Sequence, residues 1–465
     1  MGENFGGLEW KDMDMIHPVG LAAVMIMGVA MLLLPRKWAI LPMMIIACFI
    51  PLVQKIVIFN LDFNFLRIMV LFGFLRLLIK KDYSKFSWRT IDKVILYYSV
   101  SATIILTLQT GSISTFISRL GVSLDVCGTY FLFRCLIQDW QDIDKLILGC
   151  IIISIPVAIV FMIELHTHHN MFSIFGGVPK ITVIRQGELR CQGAFSHPIL
   201  AGSFWAAMVP IFITRWWKNG AGKFWAVIGF STTTFIIYAC HSSTPVFGYV
   251  GFIVGGLMFF LRYQMRTVRW AAVLILCTLH IVMEGPAWHL ISRMSAVGGS
   301  TSYFRYKLID SAINHFGEWF LIGTRSTAHW FYGAQDVPNH YILEGVRGGL
   351  ITLVLFIATI VLAFQGVGRL WRASVGNRYH LAIAWLLGVS LFVHCLQFIG
   401  VAYFGQIYIV WYLNLAMITS MSPPGIKNKR KRVATKASLA RMSRAKARTG
   451  HIQRQPKTHI KQVAF

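Results

Sequence analysis

Acidic side chains are what this sequence has least of: 18 aspartates and glutamates stand against 44 lysines and arginines, and all four types together fill only 13% of 465 positions. A soluble domain of this size cannot cover its surface with so few charges. With 56% hydrophobic residues and a mean hydropathy of +0.61, the chain reads as a polytopic membrane protein. A basic leader is also missing, because Glu3, Glu9, Asp12 and Asp14 precede the first apolar run, and no cleaved signal peptide is expected. There is no CxxC pair. Cys48, Cys127, Cys135, Cys150, Cys240, Cys277 and Cys395 lie in apolar runs and only Cys191 in a polar loop, so neither a disulfide framework nor a cysteine-bound metal is implied. The sequence carries no Walker A, GxGxxG or GxSxG motif and no repeat of fixed period.

What is present is a series of apolar runs, each near the ~20 residues a bilayer requires. They fall at 16 to 35, 38 to 59, 64 to 80, 92 to 109, 114 to 137, 146 to 164, 198 to 215, 223 to 240, 244 to 262, 268 to 284, 341 to 365, 380 to 399 and 402 to 420. The expected fold class is therefore all-α, with 12 or 13 transmembrane helices in residues 1–421. Connections rich in Lys and Arg follow the first, third, seventh, ninth and eleventh runs, and by the positive-inside rule these face the cytoplasm. The long polar loops 165–197 and 285–340 then face outward, as does the acidic N-terminus if there are thirteen spans; twelve spans put it inside. Residues 422–465 form a basic, disordered cytoplasmic tail, whose thirteen Lys and Arg account for half of the net charge of +26. Beside a span such a tail is expected to contact anionic lipid headgroups rather than nucleic acid.

The chemistry concentrates in the two outward loops, which are expected to form one site. The first contains Arg185, then Arg190, Gly193, Phe195, His197 and Pro198 as RxxGxFxHP, leading into a span that opens on Ala201, Gly202 and Ser203. Guanidinium groups at a membrane face suit phosphate, to which they donate paired hydrogen bonds while keeping their charge. The bland alternative is that Arg185 and Arg190 meet lipid headgroups or signal topology, although positive charge is disfavoured on that side. The second loop offers Arg293, Arg305, Asp310, Arg325, His329, Asp336, Asn339 and His340, with Glu344 just beyond, and its apolar spacing from Phe304 to Phe316 predicts a short helix on the membrane surface. His340 or a nearby carboxylate is positioned to serve as general base, against the alternative of an interfacial structural histidine. Within the spans, Arg67, Arg76, Arg119, Asp125 and Arg134 are either structural Asp–Arg pairs or substrate contacts. Asp142-x-Asp144 reads as helix capping rather than metal binding, and His166, His168 and His169 lack a partner at ligand spacing.

This pattern resembles the O-antigen ligase and polymerase superfamily. The likeness rests on RxxGxFxHPxxAG at Arg190 to Gly202, on SYFRYKLIDSAI at Ser302 to Ile313, and on Asp336, Asn339 and Tyr341 before the next span. It departs where Pro338-Asn339-His340 reverses the usual His-Asn order and where HSSTPVFGY, at His241 to Tyr249, lacks an arginine. The resemblance implies a bacterial plasma-membrane enzyme, and with it a metal-independent, inverting transfer without cofactor. A glycan carried on polyprenyl diphosphate would pass to an acceptor hydroxyl on a glycan or lipid. Arg190 and Arg305 would stabilise the leaving diphosphate, His340 or a neighbouring carboxylate would take the acceptor proton, and Arg185, His197, Arg325, Asp336 and Asn339 would bind substrate. A transporter or flippase for an amphiphilic anion is the competing class; it would favour repeated halves and broken helices.

Overall fold

The computed structural model describes residues 16–58, 61–283, 285–290 and 301–423. The N-terminal acids, Arg293 and the basic tail, with its expected lipid contact, lie outside the described residues. Among those described, seven helical runs are long and apolar enough to cross a membrane, and Pro18–Leu33 and Ile407–Met421 are shorter apolar helices. The protein is thus an all-α polytopic membrane protein, and the strands among the described residues form two short hairpins.

In chain order the helices are α1 (Pro18–Leu33), α2 (Leu41–Phe49), α3 (Phe65–Lys80), α4 (Thr90–Thr110), α5 (Ile113–Ser123), α6 (Thr129–Leu136), α7 (Trp140–Thr167), α8 (Pro198–Ile213), α9 (Gly222–Ala239), α10 (Ser243–Leu257) and α11 (Met265–Val282). They continue with α12 (Thr301–Asn314), α13 (Phe316–Trp319), α14 (His340–Ala373), α15 (Arg378–Gly400) and α16 (Ile407–Met421). The centre is α8, buried almost throughout and packed against α9, α10 and α15. The run 38–59 is not one helix. After Pro51 the chain turns into a hairpin of β1 (Lys55–Ile58) and β2 (Leu61–Asn64), because proline removes a ladder donor and Ile-Val-Ile favours extended backbone. The runs 244–262 and 268–284 join through a 3₁₀ segment, Met258–Gln264, into a continuous helical stretch of 40 residues. α11 has no buried residue, which leaves its apolar surface for lipid or a partner.

Charge pairing divides the molecule into two ends. At one end Arg36 meets Asp139 and Asp142, Arg134 meets Asp92, and Arg215 and Lys218 meet Asp144. These salt bridges tie together the connections that carry the basic residues. Asp142 also completes a capping box with Asp139 at the start of α7, and Asp144 further accepts from Tyr379, so both acids are structurally committed. The two long loops gather at the opposite end, where α7 finishes and α8, α10 and α14 begin. Arg67 with Asp125 and Arg76 with Asp82 answer the question of the charges within spans: both are structural pairs.

α14 is broken. Gly348 and Gly349 leave helical geometry, Gly349 at φ 66°, about 12 Å along from the helix start at a rise of 1.5 Å per residue. The freed groups are satisfied by the loop just before the helix, with Leu350 N donating to Phe320 O (2.8 Å) and Thr324 N to Val346 O (2.7 Å). Non-helical backbone survives at this depth because protein covers it. A Cβ on Gly349 would meet Leu321 O at 2.3 Å, so the crossing requires glycine.

Candidate anion-binding site

The first loop is fixed from below by a buried carboxylate. Glu164, at the end of α7, accepts from the backbone N–H of Gln192 (3.1 Å) and Gly193 (2.9 Å) and from Thr182 Oγ1 (3.2 Å). Gly193 sits at φ 58°, where a Cβ would come within 2.5 Å of Phe161, and its carbonyl accepts from Asn170 Nδ2. These contacts make RxxG a rigid turn rather than a loose surface segment. Above it, β3 (Val183–Arg185) and β4 (Glu188–Arg190) form a hairpin whose turn, Gln186-Gly187, has both residues at positive φ, as a two-residue hairpin needs. The strand ends by docking on α9, Cys191 N donating to Ala239 O at 3.0 Å.

This scaffold buries Arg190 without giving it a partner. The side chain makes no hydrogen bond or ion pair among the described residues, and its Nε is enclosed and unsatisfied. Arg305, also buried, comes from α12, the short helix that the spacing predicts. The buried stripe of α12 is Ser302, Arg305, Leu308, Ser311 and Ala312, whereas Ile313 and Phe316, expected on the apolar face, are exposed. Arg305 Nη2 donates to Thr244 Oγ1 (2.9 Å) and, longer, to Gly400 O (3.4 Å), with no carboxylate. The HSSTP turn that lacks an arginine of its own thus receives one from α12.

Arg185, exposed on β3, completes the cluster. Burial first, and then the charge of Arg185, lower the pKa of both Arg190 and Arg305. His197 shares this field: burial, then Arg190 and Arg185, push its pKa down to about 4. It is also the N-cap of α8, Nδ1 accepting from Ile199 N at 3.1 Å. Arg185 thus lies within the electrostatic reach of Arg190, Arg305 and His197, and the one acid on the hairpin, Glu188, stands across from it and is exposed.

The remaining expected site residues lie elsewhere. Arg325 donates from Nε to Gln109 O (2.7 Å) at the end of α4, and Asp336 is exposed. Asn339 caps α14, accepting from Ile342 N at 3.2 Å. His340 is buried among Phe356, Phe398 and Tyr403, with Nδ1 accepting from Tyr403 N (3.3 Å) and Nε2 3.8 Å from Glu344. Its described contacts run toward the core rather than toward Arg190 or Arg305.

One residue escaped the sequence reading, and two that it named separately come together in a cleft. His241, on the turn after α9, points Nδ1 at Leu189 O (2.8 Å) and Nε2 at Glu188 (3.6 Å), on the very strand that carries Arg190. Nothing local marks it, because its partners lie 52 residues away. The cleft, within the bundle, is lined by Tyr98, Arg119, Glu344, Arg347 and Tyr408 beside the break in α14. Arg119 Nε is enclosed there without a partner.

The depressed pKa of His197 has a consequence for stability. The unfolded chain takes up a proton near the ordinary value of 6.5, and the folded protein resists it until about 4. Stability should therefore be constant above that window and fall as pH drops through it. Melting in nanodiscs across this range, compared with His197→Asn, which keeps a capping acceptor but does not titrate, should show the steeper acid loss in the wild type. Parallel curves would remove His197 as the cause.

No protein-family model matches this chain, and no curated protein matches it.

Proposed function

We propose that this protein is a membrane glycosyltransferase, a ligase or polymerase resembling the O-antigen ligase superfamily, which moves a glycan from polyprenyl diphosphate to an acceptor hydroxyl at the outer membrane face. The observation that carries this reading is the pair of buried, carboxylate-free arginines, Arg190 and Arg305, backed by Arg185. Every other buried arginine with a described ion pair meets an aspartate, so these two are arranged for an anion from outside. In the transfer the acceptor oxygen forms a bond to the anomeric carbon as the bond to the diphosphate breaks. The departing electron pair resides on the diphosphate, where preorganised guanidinium groups stabilise it. The acceptor proton passes to a base. His340 remains a candidate through Glu344.

A transporter of a lipid-linked anion is the second reading, favoured by the broken α14 beside Arg119, Glu344 and Arg347. One experiment separates them: purified protein in proteoliposomes with labelled polyprenyl-diphosphate glycan, acceptor and EDTA. A ladder of products is expected of a polymerase and a single shift of a ligase. Movement of label between leaflets without product would overturn the transferase reading in favour of transport.

A further inference from the structure

A second cluster of chemistry lies in the second loop, where Glu318 and His329 are exposed. α12 ends at Asn314; His315 then precedes α13 as its N-cap, and Glu318 follows three residues later in its single turn. The chain then returns, bringing His329 back over that turn. One imidazole nitrogen from each histidine and a carboxylate oxygen of Glu318 all lie within 4.8 Å of one another. In a tetrahedral zinc site, with metal–ligand bonds of about 2.0–2.1 Å, ligand atoms stand roughly 3.4 Å apart. Small side-chain rotations close the difference.

The three side chains are also held as ligands are held. His315 Nδ1 lies 2.9 Å from Ser311 O, a carbonyl that can only accept, so the proton is on Nδ1 and Nε2 presents its lone pair. The ring stacks on Trp330 at 5.3 Å between centroids. Trp330 Nε1 in turn donates to Glu318 Oε2 (3.0 Å), which orients the carboxylate. His329 Nε2 meets the same oxygen at 2.8 Å, the contact expected of two ligands that hold each other when no ion separates them. A plain surface His–Glu pair would need neither the third residue nor the tryptophan.

We propose that His315, Glu318 and His329 form a binding site for a divalent transition-metal ion of the zinc type. Two neutral imidazoles and one carboxylate leave a fourth position open to solvent. The ion would clamp the α12–α13 corner to the segment 324–330, and through Arg325, which is bonded to Gln109 O, to the end of α4. Its role is to fix the second loop, and the site is independent of the transfer chemistry.

Co²⁺ titration of the full-length, tag-free protein in nanodiscs tests this, followed by displacement with Zn²⁺. A saturable visible band of tetrahedral intensity is expected, with a rise in melting temperature. His329→Gln should abolish the band, and Trp330→Phe, which removes only the supporting N–H, should weaken affinity about 10- to 100-fold. The double variant His168→Gln/His169→Gln, in the other histidine-rich segment, should leave it unchanged. Glu318→Gln, which keeps the acceptor for Trp330, guards against loss through misfolding. No saturable binding at micromolar metal, or binding that survives His329→Gln, would overturn the proposal.

Discussion

Arg190→Ala and Arg305→Ala are each expected to lower glycan transfer by about 10²- to 10³-fold, the loss typical of removing one preorganised donor to a developing anion. The protein should still insert, and its melting temperature should stay level or rise. That combination follows from the energetics of an unpaired cation. Arg190 is 7% exposed with its Nε enclosed and unbonded, so in the free protein it is a cost to folding that removal relieves. Arg305 is equally buried and has only the neutral oxygens of Thr244 and Gly400 to offset it. On the proposed function a bound diphosphate would turn both costs into binding energy, most strongly when leaving-group charge is greatest. Arg190→Lys and Arg305→Lys keep the charge but lose the planar fork, and should fall between wild type and alanine. Transfer in proteoliposomes and melting in nanodiscs, measured on the same preparations, check both halves. Wild-type transfer by both alanine variants would eliminate the diphosphate model, whereas a large fall in melting temperature would mark the arginines as structural.

These two arginines were legible in the sequence because they violate a local expectation: positive charge on the loops that the positive-inside rule assigns to the outer face. Which other arginines are harmless was not legible. Arg134 finds Asp92 across 42 residues, Arg215 finds Asp144 across 71 and Arg36 finds Asp142 across 106, and pairings of that reach depend on how helices pack. The surroundings of His340 were hidden for the same reason. Its place at the start of a span was visible, but Phe398 and Tyr403, which bury it, arrive from the far end of the next helix. The helices themselves were legible where hydropathy alone decides, as in α4, α7, α14 and α15. Residues 38–59 misled because a window of mean hydropathy cannot distinguish a helix from a half-helix followed by an apolar hairpin. The break at Gly348-Gly349 left no hydropathy signal, since glycine pairs are common in unbroken spans and only the close approach of Leu321 reveals the constraint.

Asp92→Ala should have the opposite profile to the arginine variants, a loss of stability of about 3–5 kcal/mol, since it strands a buried cation. The Asp92 carboxylate is fully enclosed and serves four donors: Tyr130 Oη at 2.6 Å, Arg89 N at 2.6 Å, and Arg134 through Nε (3.1 Å) and Nη2 (3.3 Å). It also stands in the first turn of α4, where a negative charge is favoured by the helix dipole. Removing it leaves the Arg134 guanidinium, whose side chain is only 5% exposed, with neutral partners at Ser87 and Ser420. The cost arises from the stranded charge rather than from the net value of the pair, and a double variant tests that distinction. Asp92→Leu combined with Arg134→Met replaces both charges by apolar volume and should recover most of the stability, because a buried ion pair exchanged for well-packed hydrophobic groups is often neutral. Thermal melting of the single and double variants gives the coupling directly. Recovery in the double variant would establish that carboxylate-paired arginines in this bundle are interchangeable scaffold. The same exchange is not expected to be open to Arg190 and Arg305, which have no carboxylate to remove with them and which, on the proposed function, meet the substrate.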